Sequence, residues 1–130
     1  MAGVHHKQIL IVEDDWDQAR VVQLELEAFG YATMTLGYGS AALSYAAEHQ
    51  PDLVILDVRL PDLSGYEVCR QLRKLFYRWD VPILMLTGMD KPMDQLRGFA
   101  HGADAYLTKP CEYTELLKTV ALLLGETIPA

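Results

Sequence analysis

No run of about eighteen apolar residues occurs in this 130-residue chain, so hydropathy offers no membrane-spanning helix. The amino-terminal segment Met1-Ala-Gly-Val-His-His-Lys lacks the long apolar stretch of a secretory signal, which makes the cytoplasm the expected location. Cysteine is scarce. Cys69 and Cys111 are too few for a disulfide framework and fall in no Cys-x-x-Cys spacing, so both read as free thiols. Positive charge is also in short supply, with eleven Lys and Arg against eighteen Asp and Glu and a formal net charge of -7. That sign suits neither nucleic-acid phosphates nor anionic lipid, so no nucleic acid and no membrane are expected as partners. Repeats, low-complexity tracts and Pro/Gly/Ser-rich linkers are missing as well, which leaves one domain as the expected organisation.

Apolar residues, at 51% of the chain, are abundant enough to offset the entropy of ordering it. They fall into a regular alternation. Gln8 to Glu13 carries the short run Ile9-Leu10-Ile11-Val12, as a strand covered on both faces should. Trp16 to Phe29 places Ala19, Val22, Leu26 and Phe29 at helical spacing, with Gly30 where a left-handed stop is wanted. The same reading predicts strands at Tyr31 to Leu36, Leu53 to Leu56, Pro82 to Thr87 and Ala103 to Leu107. Helices are predicted at Gly39 to His49, Gly65 to Tyr77, from Pro92 onward, and at Glu112 to Leu124. Residues 1–7 and 125–130 read as tails around a domain at 8–124. Strict alternation with apolar strands predicts an α/β fold, a parallel sheet between two layers of helices. In such sheets the reactive crevice lies beyond the carboxyl ends of the strands.

Polar residues gather at those ends. The first strand finishes at Glu13-Asp14-Asp15, the third at Asp57, the fourth at Thr87, and the fifth runs into Lys109-Pro110. Carboxylates crowded into one crevice repel each other unless a cation stands between them. Without His or Cys, an all-oxygen site favours magnesium, which takes one or two carboxylates and keeps water and phosphate oxygens in its other positions. Lys109 adds an ammonium and Thr87 a hydroxyl, which together suit the oxygens of a phosphoryl group, while a carboxylate in that field can act as its nucleophile. Each residue also has a plainer reading: Asp15 as the cap of the next helix, Asp14 as a solvated acid, Asp57 as a turn former, Lys109 as a surface charge. The combination on four strand ends favours the phosphoryl reading.

These motifs resemble the receiver domain of two-component response regulators, the chemotaxis regulators among them. The resemblance rests on Ile9-Leu10-Ile11-Val12-Glu13-Asp14-Asp15, on Leu53 to Gly65 with Asp57 and Pro61, on Leu86-Thr87-Gly88, and on Gly102-Ala103-Asp104-Ala105-Tyr106-Leu107-Thr108-Lys109-Pro110. It implies a flavodoxin-like doubly wound (βα)5 sandwich with strands in the order 2-1-3-4-5. It makes Asp57 the phosphoacceptor, and Asp14, Asp15, Asp57 and the backbone carbonyl of Arg59 the holders of Mg2+, for which Mn2+ can substitute. Thr87 and Lys109 contact the phosphoryl oxygens, a cis bond joins Lys109 to Pro110, and Thr87 with Tyr106 forms the switch. The implied partners are a sensor histidine kinase or phosphotransfer protein and a downstream protein target on the face built from the fourth helix, fifth strand and fifth helix. On this reading the chain is a signalling switch, not an enzyme, whose one chemistry is its own phosphorylation and autodephosphorylation.

Two features lie outside that shared pattern. Arg59 and Met89 stand two residues beyond Asp57 and Thr87, where the family tunes hydrolysis, and neither is small and polar; they predict a persistent phosphorylated form. The last helix holds Leu116, Leu122 and Leu123 beyond its inward stripe of Leu117, Val120, Ala121 and Leu124, which suggests a homodimer, another partner or wider burial. Leu75 to Trp79 reads as an aromatic cover of the sheet's lower end, His5 and His6 as a solvated tail, and Trp16 as a reporter of the pocket. The expected form is a lone receiver without a DNA-binding output domain. A small Mg-dependent phosphatase working through a phospho-aspartate is the alternative, weakened because Arg59 occupies the place where such enzymes keep a second Asp. A flavin carrier is disfavoured by the acidic loop from Asp14 to Asp17.

Overall fold

In a computed structural model, which describes residues 7–75 and 80–126, five strands and five helices alternate along the chain. They are β1 (Gln8–Val12), α1 (Trp16–Ala28), β2 (Ala32–Leu36), α2 (Gly39–His49), β3 (Leu53–Leu56), α3 (Gly65–Leu75), β4 (Ile83–Thr87), α4 (Pro92–Ala100), β5 (Ala105–Thr108) and α5 (Tyr113–Leu123). All pairings are parallel, in the order β2-β1-β3-β4-β5. Element order and topology match the expectation, with ends displaced by one or two residues. Phe76, Tyr77 and Trp79, together with His5 and His6, lie outside the described residues.

The two-residue side-chain period of a strand sorts the apolar runs onto two faces. Leu10, Val12, Val54, Leu56, Ile83 and Met85 meet Ala42 and Ala46 of α2 and Val68, Cys69 and Leu72 of α3. Ile9, Ile11, Leu53, Ile55, Leu84 and Leu86 face Leu26 of α1 and Leu116, Leu117 and Val120 of α5. Burial on both sides is why β1, β3 and β4 read as hydrophobic runs, while the edge strands β2 and β5 are only partly buried.

Helix ends are set locally. Gly30 adopts φ 101°, a conformation costly for any residue with a Cβ, and lets the amides of Gly30 and Tyr31 bond back to the carbonyls of Glu27 and Leu26. The carboxyl end of α5 closes in the same pattern. Gly125 and Glu126 donate to Leu122 and Ala121, and Glu126 accepts a hydrogen bond from the Tyr31 hydroxyl at 2.7 Å. The first two residues of the expected tail thus belong to the folded body.

The α5 surface bears on the three alternatives offered for it. Leu116 is buried in the core and Leu123 packs against it, leaving Leu122, at 77% exposed, as the one leucine of that group facing outward. Wider burial within the domain accounts for the apparent surplus.

Candidate functional site

Val12 pairs in register with Leu56, so Glu13 and Asp57 leave neighbouring strands at the same level. The sequence order of the strands reverses between them, where parallel sheets open a crevice. The Asp57 amide donates to the Val12 carbonyl at 3.0 Å and fixes the backbone there. Behind it, Gly65 opens α3 with its amide 2.7 Å from the Val58 carbonyl. A Cβ on Gly65 would lie 2.1 Å from the Asp57 carbonyl oxygen, so only glycine permits this approach.

Asp57 is 8% exposed. Its Oδ1 accepts from the Arg59 amide at 3.2 Å and its Oδ2 from Lys109 Nζ at 2.9 Å. Lys109 arrives from the end of β5, its own amide donating to the Thr87 carbonyl at 2.9 Å, and the bond to Pro110 is cis. Its ammonium also donates to Glu13 Oε1 and, at 2.6 Å, to Gln18 Oε1. All three N–H groups are therefore engaged.

The electrostatics follow from that arrangement. Burial pushes the Asp57 carboxyl upward, but hydrogen bonding from Lys109 and Thr87 outweighs it and holds the group below the usual carboxylate range. Burial dominates at Glu13, whose carboxyl is raised although Lys109 pulls it down. For Lys109 itself, burial disfavours the charge while Glu13 and Asp57 favour it more strongly, so its pKa is raised. The cation between the two buried carboxylates is Lys109, expected from the sequence as a second positive charge beside a metal.

The remaining acids are placed differently. Asp15 is the N-cap of α1, its Oδ1 accepting from the Gln18 amide at 3.1 Å, so the capping reading holds for it. Asp14, Asp15 and Arg59 are all exposed. Among the described residues no three His, Cys, Asp or Glu side chains are gathered into a ready-made metal cage. The donors at this corner are nonetheless all oxygens, one of them the buried Asp57 carboxylate, with open solvent on the outer side. Such a set fits a hard divalent cation that keeps several of its waters.

Thr87 and Tyr106 meet at one residue. The fully buried Thr87 takes the Met89 amide on its Oγ1 at 3.3 Å, and the Tyr106 hydroxyl donates to the Met89 carbonyl at 2.7 Å. The Tyr106 ring rests on α4, where a Cβ on Gly98 would come within 2.9 Å of it. Its neighbour Tyr66, buried at the start of α3, donates to the Asp94 carbonyl at 3.0 Å and lies under the Arg97 guanidinium at 4.9 Å from the ring centroid. A cleft of about 540 Å³ opens beside Lys109 between Val21 and Val22 of α1, Leu86, and Cys111 and Leu116 of the α5 end.

Sequence reasoning singled out Asp57, Lys109, Thr87, Tyr106 and Met89, and the fold brings them to one rim. It missed Gln18, Asp62 and Tyr66, and it saw Glu13 only as one more acid. Gln18 stands three residues after Asp15, a spacing that marks the capped start of a helix and carries no signal of a contact with Lys109.

Comparison with known proteins agrees with this fold. The family model described as "Response regulator receiver domain" matches residues 9–121. The chain is 43% identical over 121 residues to the alkaline phosphatase synthesis transcriptional regulatory protein PhoP of Bacillus subtilis (strain 168), covering 92% of this chain and 49% of that protein. It is 40% identical over 120 residues to the DNA-binding dual master transcriptional regulator RpaA of Synechocystis sp. (strain ATCC 27184 / PCC 6803 / Kazusa), covering 92% and 50%. The chain thus spans about half the length of the curated relatives it matches. Among solved structures, a putative response regulator from Chloroflexus aurantiacus J-10-fl superposes with a TM-score of 0.89 at 35% identity, covering 94% of this chain and all of that one. The receiver domain of a sensor histidine kinase from Pseudomonas aeruginosa PAO1, with magnesium coordinated in its active site cleft, superposes with a TM-score of 0.86 at 30% identity, covering 94% and 100%.

Proposed function

From the premise that this chain belongs to the response regulator receiver domain family, we propose that Asp57 accepts a phosphoryl group from a histidine kinase or phosphotransfer protein. The observation that carries this is the buried Asp57 carboxylate held by Lys109 at the strand-end crevice. One Asp57 oxygen attacks phosphorus, the bond from phosphorus to the donor's imidazole nitrogen breaks, and that nitrogen takes up a proton. The product is an acyl phosphate. Lys109 then turns one N–H from Asp57 to a phosphoryl oxygen, and Thr87 supplies a hydroxyl. Asp14, Asp15, Asp57 and the Arg59 carbonyl would hold Mg2+, or Mn2+, which neutralises charge on the phosphoryl oxygens. Hydrolysis reverses the modification when water attacks phosphorus and the bond to Asp57 breaks.

The phosphorylated state is read out on α4, β5 and α5. Thr87 and Tyr106 both bond Met89, so drawing the Thr87 hydroxyl to the phosphoryl frees that peptide and lets Tyr106 and α4 repack. Met93, Leu96 and Phe99 already expose one apolar stripe of α4 to a target or to a second copy of the chain. Sedimentation with beryllium fluoride and magnesium separates these two, since a dimer appears in one case and a monomer persists in the other.

The central test is acetyl phosphate with magnesium, followed by intact mass. Wild type gains one phosphoryl group and Asp57→Ala gains none; an unmodified wild type overturns the reading. Arg59 and Met89, flanking the acyl phosphate, are proposed to prolong its life. Arg59→Asn and Met89→Glu should each dephosphorylate faster, and rates equal to the parent's would remove them from that role.

A further inference from the structure

We propose that Gln18 is a positioning residue of this site, a bridge that keeps the Lys109 ammonium in register with the Asp15 corner. The inference rests on the phosphoryl-accepting reading above and adds a residue to it. Gln18, in the first turn of α1, presents Oε1 to Lys109 Nζ at 2.6 Å and Nε2 to Asp15 Oδ2 at 3.2 Å, while its backbone amide holds Asp15 Oδ1 at 3.1 Å. The amide orientation is dictated by chemistry. An ammonium only donates and a carboxylate only accepts, so oxygen must face Lys109 and nitrogen must face Asp15. No other neutral side chain of that length offers both ends at once.

Its consequence lies in how Lys109 must move. The ammonium is committed to Glu13, Gln18 and Asp57, and only the third partner changes character when Asp57 becomes an acyl phosphate. With two anchors retained, the nitrogen turns about the line joining Glu13 to Gln18 and delivers its free N–H to the phosphoryl oxygen. With Glu13 alone, a charge on a flexible four-carbon stem pivots widely, and ordering it falls on the transfer step. The plainer role, stiffening α1, needs no side-chain amide, because Asp15 already caps the helix through the Gln18 backbone.

The test compares the full chain with Gln18→Ala and Gln18→Glu, using acetyl phosphate at saturating magnesium, with melting temperature as a fold control. Gln18→Ala should phosphorylate about five- to tenfold more slowly, the loss of one charge-assisted hydrogen bond. Gln18→Glu keeps an acceptor for Lys109 but sets a carboxylate against Asp15, so it should recover part of that rate. In metal-free protein, the Lys109 ammonium resonance in nitrogen-15 spectra should broaden in Gln18→Ala and persist in Gln18→Glu. An unslowed Gln18→Ala, equal slowing of both variants, or an unchanged ammonium resonance overturns the inference. A wild type that gains no phosphoryl instead overturns the reading of Asp57, so the two failures are distinguishable.

Discussion

Lys109 serves two buried carboxylates with one nitrogen, and that single charge makes the pair compatible. Glu13 and Asp57 stand side by side on adjacent strands, and without an ammonium between them one has to take up a proton. Lys109→Met should cost about 3–5 kcal/mol at neutral pH, the penalty of stranding a buried charge. Both carboxyl pKa values should rise, and urea unfolding together with carboxyl NMR titration checks both. Asp57 and Lys109 were legible because each ends an apolar strand with a chemistry that strand ends rarely carry by accident. Glu13 was visible without its role, since nothing in a run of three acids tells which one turns inward.

At the scale of elements, α2 begins without a cap of its own. Tyr38 occupies the N-cap position and makes no capping bond. Instead Asp62, in the loop after β3, accepts from the amides of Gly39 at 2.8 Å and Ser40 at 2.9 Å. These bonds, the Ser40 amide foremost, hold the Asp62 carboxyl well below the usual carboxylate range. The same loop carries Arg59, whose carbonyl is the proposed metal ligand, so a cap for one helix doubles as a tether for the site. Asp62→Ala should lower the melting temperature, expose the Gly39 and Ser40 amides to hydrogen exchange and weaken magnesium binding, with Asp62→Asn intermediate. The sequence placed the start of α2 correctly but held no hint of this cap, because the contact spans 22 residues.

For the whole molecule, the central sheet is covered on both faces, and the two cysteine thiols beneath those covers titrate late. Burial raises Cys69 to about 11 from 9.0, and burial followed by the Glu115 carboxylate raises Cys111 to about 11. A thiol whose pKa is raised by folding favours the native state while it stays protonated. That contribution is complete below the unfolded value and disappears as pH climbs through the folded one. Stability should therefore fall between pH 9 and about 11. Replacing both cysteines with alanine should flatten that decline relative to each protein's own value at pH 8. Urea midpoints across the range provide the check, and at neutral pH both thiols should resist alkylation.

The sequence by itself determined the alternation of strands and helices, the parallel sheet and the rim on which Asp57, Thr87, Tyr106 and Lys109 stand. Those features are written in hydrophobic period and in polar residues that close apolar runs, both of which are local. Tertiary structure alone decided that Glu13 shares the Lys109 ammonium with Asp57, that Gln18 bridges Lys109 and Asp15, that Asp62 caps a helix from another loop, and that Leu116 faces inward while Leu122 does not. Each of these depends on the distance and direction between segments remote in sequence, or on the rotation of a helix against its sheet. Periodicity along one chain does not encode such quantities, and packing does.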